Sequence, residues 1–271
     1  MDAFTKEDVI AGLDEVWKST IEATEGLDEA RWSRETQCPG WDSRAQLSHL
    51  IGIERSLMGE PAPEVEVTEK DHLKNPIGEM NEPWIVVRRS TPGDEVRTEF
   101  IEVTARRLEQ LRSLDAAAFE EVGWSPIGQV PMREFMVIRI MDSWIHEQDI
   151  RVTVGRPGGR NGIGEQVALM RADVALRGVV GRATEKVDGL SVVIKIVGPL
   201  GGRRRFEIVE GRAQEIEGAD ATATVVIEQE PYLRRFAGRI SADETLSAPG
   251  TQISGDLDLA RRVVESLAVM I

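Results

Sequence analysis

Asp142 and His146, four residues apart, carry the strongest chemical signal in the sequence. They lie in PMREFMVIRIMDSWIHEQDIRVTV, whose periodicity predicts one long helix opened by Pro131. At roughly 100° per residue, Phe135, Ile138, Asp142, Ile145, His146 and Asp149 share one side of that helix. Three ionisable side chains therefore occupy the stripe that should face a core, and buried charge requires partners. Residues i and i+4 project from successive turns toward a common point, as two ligands of one divalent ion must. A third ligand has to come from elsewhere. His49, at the edge of the apolar arc of another predicted helix, is the candidate. Two histidines and one carboxylate suit zinc first, and also nickel, iron or manganese. Zinc can keep an open position for water or a thiolate, whose deprotonation it favours. The competing reading is an i,i+4 helix ion pair, with His49 a polar residue at the core margin.

Other reactive residue types divide between site and scaffold. Asp149, three residues past His146, either orients that imidazole or another ligand group, or pairs with Arg151 or a neighbour across the bundle. Cys38 precedes a predicted helix start, yet a lone cysteine in an apolar setting packs as a small hydrophobe, and that role is preferred. Trp41 and Trp144 read as core; Trp144 lies about 200° from Asp142 on the helical wheel, away from the ligand direction, and should meet a loop or another surface instead. His72, in EKDHLKN, reads as a surface histidine. GRPGGRNGIG and GPLGGRRR lack both the Walker ending and the dinucleotide-fold context, so their glycines are read as turns. There is no GxSxG elbow and no CxxC pair, which removes the usual residues of hydrolase and thiol-redox chemistry.

The elements that must position the candidate ligands follow from capping and periodicity. A first helix should begin after Thr5, with Asp8 completing a capping box and Val9, Leu13, Val16, Trp17 and Ile21 on its apolar side. A second starts at Ser43 with Gln46, carrying Leu47, Leu50, Ile51, Ile53 and Leu57. The acidic, Pro-rich PAPEVEVTEKD should be a loop, and Thr91, Pro92 and Asp94 open a third helix through Leu111. With the helix after Pro131 these make a four-helix bundle, since each apolar stripe can hide only against the others. Beyond the Gly-rich stretch the pattern changes. VALMRADVALRGVVGR reads as a helix, LSVVIKIVG and RRFEIVE as a hairpin turning at Gly201 and Gly202, and TATVVIE and TQISG as further strands. Helices follow from Pro231 and after Asp256. The predicted class is α+β in two domains, a helical bundle over residues 1–158 and a layer domain with a mainly antiparallel sheet over 165–271.

Composition sets the outer limits. The 271 residues carry 33 Lys+Arg against 47 Asp+Glu, a net charge of -14, which disfavours a general nucleic-acid partner. Residues 1–160 contribute -12 of that charge and 161–271 only -2. One cysteine, no apolar run at MDAFTKEDVI and no stretch near the roughly 18 apolar residues of a membrane span point to a reducing cytoplasm and no membrane.

TQCPGWDSRAQLSHLIGIE and RIMDSWIHEQDIR resemble the metal-binding, DinB-like bundle of mycothiol-dependent maleylpyruvate isomerases and their relatives. The likeness continues through TQISGDLDLARRVVESL, and the C-terminal domain is similar to sterol-carrier proteins. The resemblance implies metal ligands at His49, Asp142 and His146, with Asp142 one methylene shorter than the family's glutamate. It further implies mycothiol as thiol cosubstrate, adding to a small-molecule electrophile. Rotation and thiol release would give isomerisation, and release of the adduct would give S-transfer; both stay open. A substrate carboxylate needs a partner near the join of the domains, and Arg203, Arg204 and Arg205 are the candidates. Two other functions compete: binding of a small apolar ligand by the sterol-carrier-like domain, and a metal-stabilised interaction protein without turnover.

Overall fold

The computed structural model describes residues 4–270. Residues 1–3 and 271, which the predicted domain limits include, lie outside the described residues. The chain divides into two compact units between Val167 and Ala168.

In the first unit, helix α1 (Lys6–Ala23) starts on the expected capping box, with Thr5 Oγ1 accepting from Asp8 N and the Asp8 carboxylate accepting from Thr5 N. A short helix α2 (Glu29–Trp32) follows, capped by Asp28. Helix α3 (Ser43–Leu57) is capped by Asp42 and not by Ser43, as its carboxylate accepts from Ala45 N at 2.7 Å. An aspartate one position earlier brings both an acceptor and a negative charge to the helix N-terminus, and Ser43 becomes the first helical residue. Helix α4 (Pro76–Val86) was not expected: Asn75 caps it, but the internal Pro83 interrupts the ladder that periodicity reads. Helix α5 (Gly93–Ser113) opens after Pro92 with Asp94 and Glu95 in its first turn. The hairpin of β1 (Val122–Ser125) and β2 (Gly128–Pro131), also unexpected, leads into α6 (Met132–Val154). Gly155 ends α6 with φ 69°, a left-handed turn that glycine makes without Cβ strain.

Helix α1 packs on α5 and α6, while α3 packs on α4, α5 and α6, which gives the expected bundle. Leu13, Trp17, Leu47, Leu50, Ile51, Phe100, Leu111 and Ile140 are buried within it. A Cβ on Gly12 would meet Ile140 Cδ1 at 2.7 Å, so the missing side chain lets α1 approach α6 closely. Ile21, Ile53 and Leu57 are only partly buried, whereas Glu54, polar by type, is fully buried.

The division between the units falls inside α7 (Ile163–Ala183). The second unit contains β3 (Ser191–Val197), β4 (Gly202–Val209), β5 (Arg212–Glu215), β6 (Ala223–Glu228), α8 (Gln229–Phe236), α9 (Ala242–Ser247), β7 (Gln252–Gly255) and α10 (Leu257–Ser266). Its sheet has the order β5-β4-β3-β6-β7. Strands β3 and β4 form the expected hairpin, with Ile194 opposite Arg204, and β3 and β6 are its parallel pair. Asp256 caps α10, whose Leu259, Ala260, Val263 and Val264 are buried against the layer. Strand β5 was not expected, and its exposed RAQE carries no apolar alternation to find it by. No described helix is long and apolar enough to cross a membrane.

Candidate metal centre

Two helices bring the three candidate ligands together. From α3, His49 Nε2 lies 3.3 Å from Asp142 Oδ2 on α6. One turn along α6, His146 Nε2 lies 3.6 Å from Asp142 Oδ1. One ligand atom from each residue fits within 4.8 Å of the other two. A tetrahedral zinc ion with bonds near 2.0–2.2 Å sets its donors about 3.4 Å apart. The two His–Asp separations, one to each Asp142 oxygen, lie near that edge, one atom from each residue falls within 4.8 Å of the others, and the donor set is one that zinc accepts, so the residues present fit a divalent ion.

The surroundings shift the titration of all three groups. Burial and the neighbouring His146 push His49 down to about 4, leaving a neutral imidazole. Burial would raise Asp142, but Arg139 and the two histidines hold it well below the usual carboxylate range. Burial would lower His146, and Asp142 and Asp149 overcome this to raise it. The ring of Trp41 covers both imidazoles, with centroids 4.9 Å from His49 and 5.7 Å from His146. Its Nε1 donates to buried Glu82 at 3.3 Å.

Sequence reasoning missed four neighbours. Gln46 Oε1 meets His146 Nδ1, the kind of acceptor that orients a ligand imidazole. Arg139 Nη1 donates to Asp142 Oδ2, and its Nε donates to Glu54 Oε1 at 2.9 Å. Arg107 Nε donates to the other Glu54 oxygen at 3.2 Å. Gln46 and Arg139 stand three residues before His49 and Asp142, so helical spacing alone could have flagged them.

The remaining candidates fall into place individually. Asp149 Oδ2 is 3.6 Å from His146 Nδ1, close enough to act on it electrostatically. Cys38 packs against the cluster of Trp41, Ala45 and Ile85. Trp144 does meet a loop, donating to Gly159 O at 2.7 Å. His72 is not a free surface histidine: its Nε2 lies 3.1 Å from buried Glu82, whose carboxylate gathers Trp41, His72 and Arg89. Arg203, Arg204 and Arg205 all lie on β4 in the second unit. Arg203 donates to the carbonyls of Gly218 and Ala219, and Arg204 faces Asp173 and Glu215. Arg205 reaches Asp220 O and Glu207.

The family model described as the mycothiol maleylpyruvate isomerase N-terminal domain matches residues 13–151, a span that holds all three candidate ligands. The crystal structure of the mycothiol-dependent maleylpyruvate isomerase matches 94% of this chain and 96% of that chain, at a TM-score of 0.62 and 17% identity. A histidine-to-alanine mutant of that enzyme matches the same shares at a TM-score of 0.60 and 17% identity. At this identity the likeness is one of fold, and it extends over both units. A sequence search among curated proteins finds no match.

Proposed function

The chain belongs to the mycothiol maleylpyruvate isomerase N-terminal domain family, and from that membership we propose a metal-dependent, mycothiol-dependent isomerase acting on a small electrophile in the cytoplasm. The observation that carries this reading is the meeting of His49, Asp142 and His146 within 4.8 Å, from two helices, inside the family-matched span. These residues would hold the ion, zinc first. When bound, the ion supplies Lewis acidity that favours the deprotonated form of a thiol at neutral pH.

The protein's own groups prepare that chemistry. His49 is held neutral, so its ring nitrogen offers a lone pair without first losing a proton. Asp142 is held ionised by Arg139, which keeps an anionic donor in a buried setting. Gln46 turns the His146 ring through Nδ1 and leaves Nε2 toward Asp142. The Trp41 ring packs against both imidazoles and so limits how they can turn.

Metal analysis of the protein purified without added ions, paired with a mycothiol-dependent assay, tests the reading. The expected result is about one divalent ion per chain in the wild type and in His72→Ala, and a loss of roughly 10-fold or more in metal affinity with His146→Ala. Equal metal content in the two variants, or stoichiometric metal without thiol binding, overturns it.

A further inference from the structure

We propose that Arg139 is a positioning residue, which fixes the carboxylate of Asp142 as a metal ligand through a buried chain of charges running from α5 across α3 to α6. The inference rests on the metal reading above. Arg107, Glu54 and Arg139 are 2%, 0% and 2% exposed, so their charges face one another and not water. Glu54 takes Arg107 on one oxygen and Arg139 on the other, at 3.2 Å and 2.9 Å. Arg107 is tied in turn to Gln110 Oε1 and lies 3.5 Å from Met136 Sδ.

A guanidinium is planar, so anchoring Nε of Arg139 on Glu54 sets the direction of Nη1, and Nη1 points at Asp142 Oδ2. One carboxylate oxygen is thereby pinned while Oδ1 stays 3.6 Å from His146 Nε2. A buried ionic network of this kind contributes little net stability compared with apolar packing and is expensive to break, which favours a role in geometry. An aspartate has one bond fewer than glutamate with which to search for an ion, so its carboxylate has to be delivered to the right place. Arg139 lies three residues before Asp142 on the same helix and is close enough to do so.

The test uses cobalt(II) as the probe ion on metal-stripped wild type, Arg139→Gln and Arg139→Lys, reading affinity by titration, ligand geometry by visible absorption, and folding by thermal melting. Arg139→Gln is expected to bind cobalt about 10-fold more weakly or worse, with an altered absorption band. Arg139→Lys keeps the charge, but one ammonium cannot replace the fork, so its affinity should fall between the other two. A melting temperature that drops while affinity and absorption match the wild type marks a purely structural role and overturns the proposal. If Arg139→Gln does not fold, the lysine variant decides: wild-type affinity and absorption there overturn the proposal as well. Wild-type protein that takes up no cobalt overturns the metal reading itself, and a variant-only defect cannot arise in that case.

Discussion

Asp142 shows how far a single side chain's role depends on its neighbours. The sequence presents it as one half of an i,i+4 pair with His146, and that spacing is equally good for an ion pair or a metal site. His49 reaches the same carboxylate from another helix, which supplies the third side chain a metal site needs, and no local pattern encodes that meeting. Arg139 stands at i,i+3 to Asp142, a spacing that offers a partner, but a helical arginine is ordinarily read as solvated and nothing local marks this one as buried. Glu99 gives a test of such charge pairing away from the candidate site. Burial would raise its pKa, but Arg88 and Arg55 bring it below the ordinary glutamate value of 4.5. A carboxyl with a folded pKa below its unfolded value stabilises the fold above 4.5 and loses that contribution as pH falls through the folded value. Glu99→Gln should therefore lower stability by ~1–3 kcal/mol at neutral pH and flatten the acid limb below 4.5. Urea denaturation of both proteins across that range checks it, and parallel acid limbs contradict it.

Helix α3 connects local sequence signals to the site. Its apolar Leu47, Leu50 and Ile51 were legible from periodicity, and they fix which side turns inward. His49 and Gln46 are carried inward with them, and so is Glu54, whose burial is sustained by two arginines from other helices. The helix start was misread by one residue because both Asp42 and Ser43 are good caps, and only the geometry of the Ala45 amide chooses between them. Replacing Asp42 by alanine should cost about 1 kcal/mol of stability while leaving one metal ion per chain, since the cap sets the helix end and touches no ligand. Unchanged stability in a denaturation experiment contradicts the assigned cap. Helix α4 escaped notice for the opposite reason, because Pro83 conceals a helix that Asn75 and Pro76 announce clearly.

On the scale of the whole chain, the two-part organisation was visible in the change from 3.6-residue to alternating periodicity, and the fold likeness to a solved isomerase covers both parts. The boundary was harder to read, since the division lies inside a continuous helix and not in the glycine-rich segment that precedes it. The charge of -14 adds a complication of its own, because an acidic surface gathers divalent ions weakly at many places. Metal content alone therefore does not locate the ion. Anomalous diffraction at the zinc edge from crystals of the zinc-loaded protein does. The expected result is one ion about 2.0–2.2 Å from a ring nitrogen of His49, a ring nitrogen of His146 and a carboxylate oxygen of Asp142. An ion bound only at other residues, with His49 turned away from that pair, contradicts the account.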